Sequence, residues 1–252
     1  MGHVLLVDAA VVGASMFALW LVSLPLRDAS IVDPFWGFGF VLVAWTAALV
    51  RPGGNGRWLL VALVTIWGLR LSLHLARRNL GHGEDFRYRA MRARFPVFPL
   101  TSLLIVFGLQ GVLLWVVSLP VQLAHDDGPI LLVILGTGVW AVGLAFESFG
   151  DAQLARFRAD PANRGHVLET GLWRYTRHPN YFGDFCVWWG LYLVAAGVGA
   201  PWWTIVGPIV MSVLLRRVSG VTLLEQSLAR SKPGYAAYAA RTSAFFPRPP
   251  RR

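Results

Sequence analysis

Stretches of about 20 residues with almost no charge recur along this chain, and each is long enough to cross a hydrocarbon layer about 30 Å thick as a helix. Charges, prolines and glycines delimit seven of them: Val4–Leu24, Ile31–Val50, Trp58–Ala76, Leu100–Leu123, Ile130–Phe149, Tyr181–Ala200 and Trp202–Val218. The last two read as a hairpin, parted only at Gly197–Pro201. Of the 252 residues, 56% are hydrophobic and 14% charged, against roughly 25% charged in a soluble domain. Little chain is left for a separate soluble domain. The expectation is an all-α, polytopic integral membrane protein with seven transmembrane helices. It forms a single domain over 1–252, with helices 1–4 in 1–125 and helices 5–7 and the tail in 126–252. No basic start or small-residue cleavage site precedes Val4–Leu24, which reads as a retained span.

The formal charge of +10 would suggest nucleic acid on a soluble protein, but here the basic residues sit in loops beside apolar runs, where they set topology and meet anionic lipid. With the N-terminus outside, the first loop carries Arg27 and the third carries Arg77, Arg78, Arg87, Arg89, Arg92 and Arg94. The fifth carries Arg156, Arg158, Arg164, Arg174 and Arg177, and the tail from Arg216 adds eight more basic residues. External loops hold Arg51, Arg57 and the acidic pair Asp126 and Asp127. Twenty basic residues inside against two outside predicts an odd number of spans and a cytoplasmic C-terminus. The Pro- and Arg-rich end from Pro247 to Arg252 is expected to fray.

Polar residues at membrane depth are costly and mark function or a partner. They gather near the predicted cytoplasmic ends: Asp33 in Asp33-Pro34-Phe35-Trp36-Gly37, then Arg70, His74, Arg77 and Arg78 along one face of the third helix. Glu147 and Asp151 end the fifth, Asp184 begins the sixth, and Arg216 and Arg217 end the seventh. Each has a plainer reading. Asp33 before Pro34 is a common helix N-cap, Arg77 and Arg78 can snorkel as anchors, and a lone His74 is more often packed than a ligand. Together with the Arg-, Asn- and Tyr-rich loops Leu80–Arg94 and Arg156–Tyr181, they point to a phosphate-bearing ligand arriving from the cytoplasm. No GxGxxG, Walker or GxSxG motif is present. His82 and His166 stand in loops without neighbouring ligands, so no metal is expected, and Cys186, the only cysteine, rules out an intrachain disulfide.

The segment Gly171-Leu172-Trp173-Arg174-Tyr175-Thr176-Arg177-His178-Pro179-Asn180-Tyr181-Phe182-Gly183-Asp184 resembles the C-terminal signature of the steroid 5-alpha-reductase family. Leu215-Arg216-Arg217, Glu225-Gln226 and Pro233-Gly234-Tyr235-Ala236-Ala237-Tyr238 continue the likeness. Asp33 to Gly37 and Arg78-Asn79-Leu80-Gly81 through Tyr88 resemble its bacterial branch. The resemblance implies a seven-helix NADPH-dependent reductase of a carbon–carbon double bond conjugated to a ketone in a lipidic, steroid-like substrate. It implies a bacterial inner membrane, membrane lipid as surroundings, and no nucleic acid or obligate protein partner. By motif, the cofactor contacts are Arg158, Arg174, Tyr175, His178, Asn180, Asp184, Arg216, Glu225 and Tyr235, with the substrate pocket in the first four helices. The family's steroid enzymes place a Gln-Glu pair in the second helix and a Tyr in the third. Here no such pair occurs in 31–50 and position 75 is Leu75, so the catalytic candidates are Asp33, His74, Glu84 and Tyr88.

Two other readings fit part of the chain. The Arg-His-Pro-x-Tyr element also resembles membrane methyltransferases of isoprenylcysteine or phospholipid head groups, which use S-adenosylmethionine. Their Glu-Glu and Tyr-x-x-Tyr tail is matched in part by Glu225-Gln226 and Tyr235 to Tyr238. A transporter or lipid-binding scaffold would account for buried charge but not for the loop-five signature.

Overall fold

In a computed structural model, the described residues are 1–79, 81–125, 128–218, 225, 228 and 232–251. Leu80, Asp126, Asp127, Gln226 and Arg252, named above, lie outside them. Among the described residues the chain is all-helical, with five helices long and apolar enough to cross a membrane: Gly2–Leu26, Ala29–Val50, Asn55–Asn79, Phe98–Val117 and Ile130–Ala159. Of the seven predicted spans, the sixth falls on Pro179–Gly197, where Asn180, Asp184 and several glycines dilute the apolar run. The seventh falls on a shorter, broken stretch from Trp202 to Val218. The chain divides into two compact units, Met1–Val133 with Val194–Gly207, and Ile134–Leu193 with Pro208–Arg252.

The first unit opens with α1 (Gly2–Leu26). Its buried residues Val4, Asp8, Val12 and Met16 recur every fourth position, a narrow seam, while Leu6, Phe17 and Leu21 point outward. Outward-facing apolar side chains of this kind suit a lipid surround. The second helix does not begin as the sequence suggests. Asp28 accepts from Ser30 N at 2.8 Å and caps a 3-10 turn, Ala29–Ile31, that runs straight into α2 (Val32–Val50). Asp33 is therefore inside the helix and not its cap, and its carboxylate is available for other partners.

Helix α3 (Asn55–Asn79) starts earlier than expected, so Arg57 lies in its first turn, 2% exposed, and not in an outer loop. Helices α2 and α3 meet backbone to backbone at Gly37 and Gly68: a Cβ on Gly68 would stand 2.5 Å from the Gly37 carbonyl oxygen. Small residues allow this close approach, from which membrane helices draw dispersion energy in place of a hydrophobic drive. Phe40 stacks obliquely on Trp67 beside it. After α4 (Phe86–Arg94), the predicted Leu100–Leu123 span is assembled from pieces: α5 (Phe98–Ser102), a π-helical turn (Leu103–Gly108), α6 (Leu109–Val117) and α7 (Leu119–Leu123). Pro120, which has no N–H to donate, sits in the first turn of α7 where none is needed.

In the second unit α8 (Ile130–Ala159) and α9 (Pro179–Gly197) run together through glycines. A Cβ on Gly143 would stand 2.6 Å from the Gly183 carbonyl oxygen, and one on Gly190 2.5 Å from Trp140 N. The helix α10 (Val206–Val213) continues as a π-helical turn through Leu214–Val218, and α11 (Tyr235–Arg241) precedes the tail. The tail is docked, contrary to the expected fraying. Arg177 N donates to Ser243 O at 2.9 Å, Arg248 N to Tyr175 O at 3.0 Å, and Arg251 N to Arg241 O at 2.9 Å. Phe245 and Phe246 pack edge-on against Phe182 and Phe185, and this aromatic burial holds a segment whose composition alone reads as loose.

Candidate functional site

Among the described residues, each unit contains a polar cluster built from residues that the sequence analysis named. In the first unit, Asp33 and Tyr88 come together from positions 55 residues apart. Tyr88 Oη donates to Asp33 Oδ1 at 2.6 Å, and Arg87 Nη2 bonds the other oxygen at 2.7 Å. Asp85 makes this possible: its side chain caps α4 at Arg87 N and holds Arg87 Nε, each at 2.9 Å. The loop thus sets two consecutive residues onto one carboxylate. Tyr88 is 6% exposed and Asp33's side chain 13%.

Gln110, on α6, was not anticipated. Its Nε2 donates to Tyr88 Oη at 3.1 Å, and its Oε1 accepts from Trp36 Nε1. Indole N–H can only donate, so it fixes which end of the amide faces which neighbour. The row Trp36, Gln110, Tyr88, Asp33 is therefore polarised in one direction, with the Tyr88 proton given to Asp33. Burial, followed by the Asp33 charge and hydrogen bond, pushes the Tyr88 hydroxyl well above the usual tyrosine range, against Arg87 and Gln110. Burial opposes ionisation of Asp85, but the bonds from Arg87 and the charges of Arg87 and Arg78 hold it below the ordinary value.

Glu84 braces the same loop. Its oxygens accept from Arg92 Nη2 and Nε at 2.8 and 3.0 Å and from Ala29 N at 2.9 Å. Those contacts, more than offsetting burial, keep its carboxyl below the usual range. His74 is half-buried on α3, one turn before Arg78, which is exposed.

In the second unit the tail and the His-Pro-Asn-Tyr segment form one cluster. Arg177 Nε donates to Glu225 Oε1 at 2.7 Å, and its Nη1 bonds the carbonyls of Ala239 and Thr242 at 2.7 and 3.0 Å. His178 Nε2 is 3.1 Å from the same Glu225 oxygen, and its ring, 1% exposed on the side chain, stacks on Tyr181. Burial raises and these two partners lower the Glu225 carboxyl, and the partners win: it is held down to about 2. Tyr235 is pushed up to about 12 by burial and the Glu225 charge.

A cavity of about 110 Å³ opens here, walled by Arg158, Arg177, His178, Tyr235, Trp173 and Lys232 among others. Three of the nine motif-derived cofactor residues, Arg158, His178 and Tyr235, line it directly, and Glu225 holds two of its walls. Asn180 instead bonds Asp151 at 3.1 Å, Arg216 lies over the Phe245 ring, Arg174 and Tyr175 are exposed, and Asp184 is half-buried on α9. Sequence reasoning did not single out Lys232, gave Trp173 no role within the motif, and weighed His166 only as a metal ligand, whereas its carbonyl accepts from Lys232 Nζ at 2.5 Å. Arg177 stood in plain view inside the motif but was counted for topology alone.

These features define an all-helical membrane protein with a buried carboxylate–tyrosine–amide row in one unit and a cation-lined, aromatic cavity in the other. Residues 19–242 match the family described as "Protein of unknown function (DUF1295)", and the chain belongs to that family, which is steroid 5-alpha-reductase-like in general. A curated relative, an uncharacterized protein of Schizosaccharomyces pombe, is 25% identical over 264 aligned positions, covering 91% of this chain and 76% of the yeast protein. No solved structure matches the chain.

Proposed function

We propose that this protein is an NADPH-dependent membrane reductase that saturates the carbon–carbon double bond of an enone in a lipidic, steroid-like substrate. The observation that carries this reading is the Tyr88 hydroxyl, buried beside apolar helices and fixed between Asp33 and Gln110. On substrate binding the phenol can turn its single O–H from Asp33 to a carbonyl oxygen on which charge accumulates. NADPH supplies the hydride to the β-carbon when bound. Asp33, anchored by Arg87, holds the Tyr88 O–H in the free site, Gln110 donates to the phenolic oxygen when that O–H turns to the substrate's oxygen, and a solvent-derived proton delivered to the α-carbon completes the saturation. The sixth and seventh crossings, over α9 and α10, belong to the same reading, as do the cytoplasmic orientation of the arginine-rich ends and a bacterial inner membrane.

The second cluster fits part of such a cofactor. Arg158, Arg177 and Lys232 offer three cations, and Trp173, Tyr235 and Tyr238 offer ring faces, around a cavity of about 110 Å³. That volume suits a phosphate-bearing end rather than a whole dinucleotide, since complete small-molecule sites run from about 300 Å³ upward. Arginine beside the adenosine 2′-phosphate is the usual physical basis of a preference for NADPH over NADH.

The test is thermal unfolding of the purified protein with NADPH, NADH or S-adenosylmethionine. A ligand at about 100 times its dissociation constant stabilises by about 2.7 kcal/mol. Selective stabilisation by NADPH, followed by loss of enone absorbance with a 3-oxo-Δ4 steroid, is the expected result. Stabilisation by S-adenosylmethionine alone would replace the proposal with methyl transfer.

A further inference from the structure

We propose that a cleft in the first unit, away from the proposed reaction, binds the phosphate head group of an anionic phospholipid. The cleft holds about 500 Å³ and is walled by Ser23, Leu24 and Arg27 at the end of α1, Arg92 on α4, and Phe98 and Ser102 on α5. Two guanidinium-bearing side chains border it. Arg92 is already set in place, gripped by Glu84 through Nε and Nη2 and lying over the Phe98 ring at 4.7 Å. Ser23 and Ser102 turn their hydroxyls to the Trp20 and Pro99 carbonyls, so the serines do not compete for an anion. Beyond the cleft the surface is apolar: Leu21 and Leu100 are 47% and 63% exposed, and Trp20 donates its indole N–H to Pro99 O at 2.7 Å. Cationic groups bordered by an apolar surface and an interfacial tryptophan complement an anionic lipid with its chains.

Arg27 carries the argument further. The N–H of Arg27 bonds Leu24 O and that of Asp28 bonds Ser23 O, both at 3.2 Å, which closes α1 in a Schellman turn. The residue at its centre takes a left-handed backbone, φ 51°, and Arg27 is the one non-glycine with positive φ among the described residues. Glycine fills such a position without a Cβ penalty. A topological anchor needs a cation somewhere in this loop but not at this residue. Arginine at this position carries a backbone cost that glycine would not, and a contact between its guanidinium and a bound phosphate would offset it.

The experiment compares thermal unfolding in neutral detergent micelles doped with phosphatidylglycerol or with phosphatidylcholine, for the full chain and for Arg27→Gly, Arg27→Asn and Arg164→Gln. Phosphatidylglycerol should raise the wild-type Tm by about 2–4 °C over phosphatidylcholine, a shift readable for a chain of this size. Arg27→Gly should melt higher than wild type in phosphatidylcholine, its turn relieved, and lose the phosphatidylglycerol increment. Arg27→Asn, which also tolerates the left-handed backbone, should lose it too. Arg164→Gln removes one exposed charge from the other unit and should keep the increment. An increment retained by both Arg27 variants, or lost equally in Arg164→Gln, would overturn the site. So would inorganic phosphate reproducing the whole shift, because the anion would then not be a lipid's.

Discussion

Replacing Gly37 with alanine tests the seam that positions Asp33. The new methyl carbon would overlap the Gly68 carbonyl oxygen and stand 2.7 Å from Ser72 Oγ. Carbonyl carbon and oxygen belong to the α3 backbone and cannot rotate away, so α2 and α3 must separate by roughly 1 Å to restore contacts near 3.5 Å. Overpacking of this kind costs about 1–3 kcal/mol. At about 2–4 °C per kcal/mol for a chain of this length, Tm should fall by about 2–12 °C. Gly68→Ala should do the same from the other side, because its methyl would meet Gly37 O at 2.5 Å and Val41 Cγ2 at 2.7 Å. The double variant should cost less than the sum, since the first methyl opens the gap that the second needs. Gly13→Ala on α1, where nothing lies within 4 Å, serves as the control and should be neutral or slightly stabilising. Thermal unfolding in one detergent reads all four variants. If Gly37→Ala melts with wild type, or the two costs simply add, the backbone contact between α2 and α3 does not exist as described.

Under the proposed reaction, Tyr88→Phe should lower enone turnover about 10²–10³-fold, the usual cost of one oxyanion donor, while the Tm shift produced by NADPH stays the same. Turnover within threefold of wild type would remove Tyr88 from the chemistry. Glu225, held near 2 against an ordinary value of 4.5, contributes stability that is present above about pH 4.5 and is lost as pH falls toward 2. Tm should therefore drop on acidification from about pH 5 to about pH 3, and Glu225→Gln should be less stable at neutral pH with a flatter drop. Equal slopes would show that the Arg177 and His178 contacts carry no linkage.

The first five long helices were legible because an uninterrupted apolar run of this length has few other solutions. Their ends were less so. From the sequence Asp33 reads as the cap, and only the geometry at Ser30 shows that Asp28 serves instead, leaving Asp33 for Tyr88 and Arg87. Arg57 looked like loop because its charge ended an apolar count, whereas the helix simply continues around it. Pairing Asp33 with Tyr88 was within reach of chemistry, since both were polar exceptions near one membrane face. Gln110 was not: a single amide in an apolar run carries no periodic signal, and a π-helical turn two residues earlier alters its facing from what regular helical spacing predicts. The motif residues His178 and Tyr235 line one cavity, but Lys232 reaches it by folding back over the His166 carbonyl, which spacing cannot forecast.

Helix α8 has 30 residues, a rod about 45 Å long at 1.5 Å per residue. Set upright in a hydrocarbon slab about 30 Å deep, it outruns the slab by about 15 Å, or its final ten residues. Those ten include Leu154, Phe157 and Arg158, three walls of the cation-lined cavity. The overhang acts as a mast. Under the proposed function, such an overhang would let a phosphate-bearing ligand meet those residues in water without surrendering its hydration to lipid.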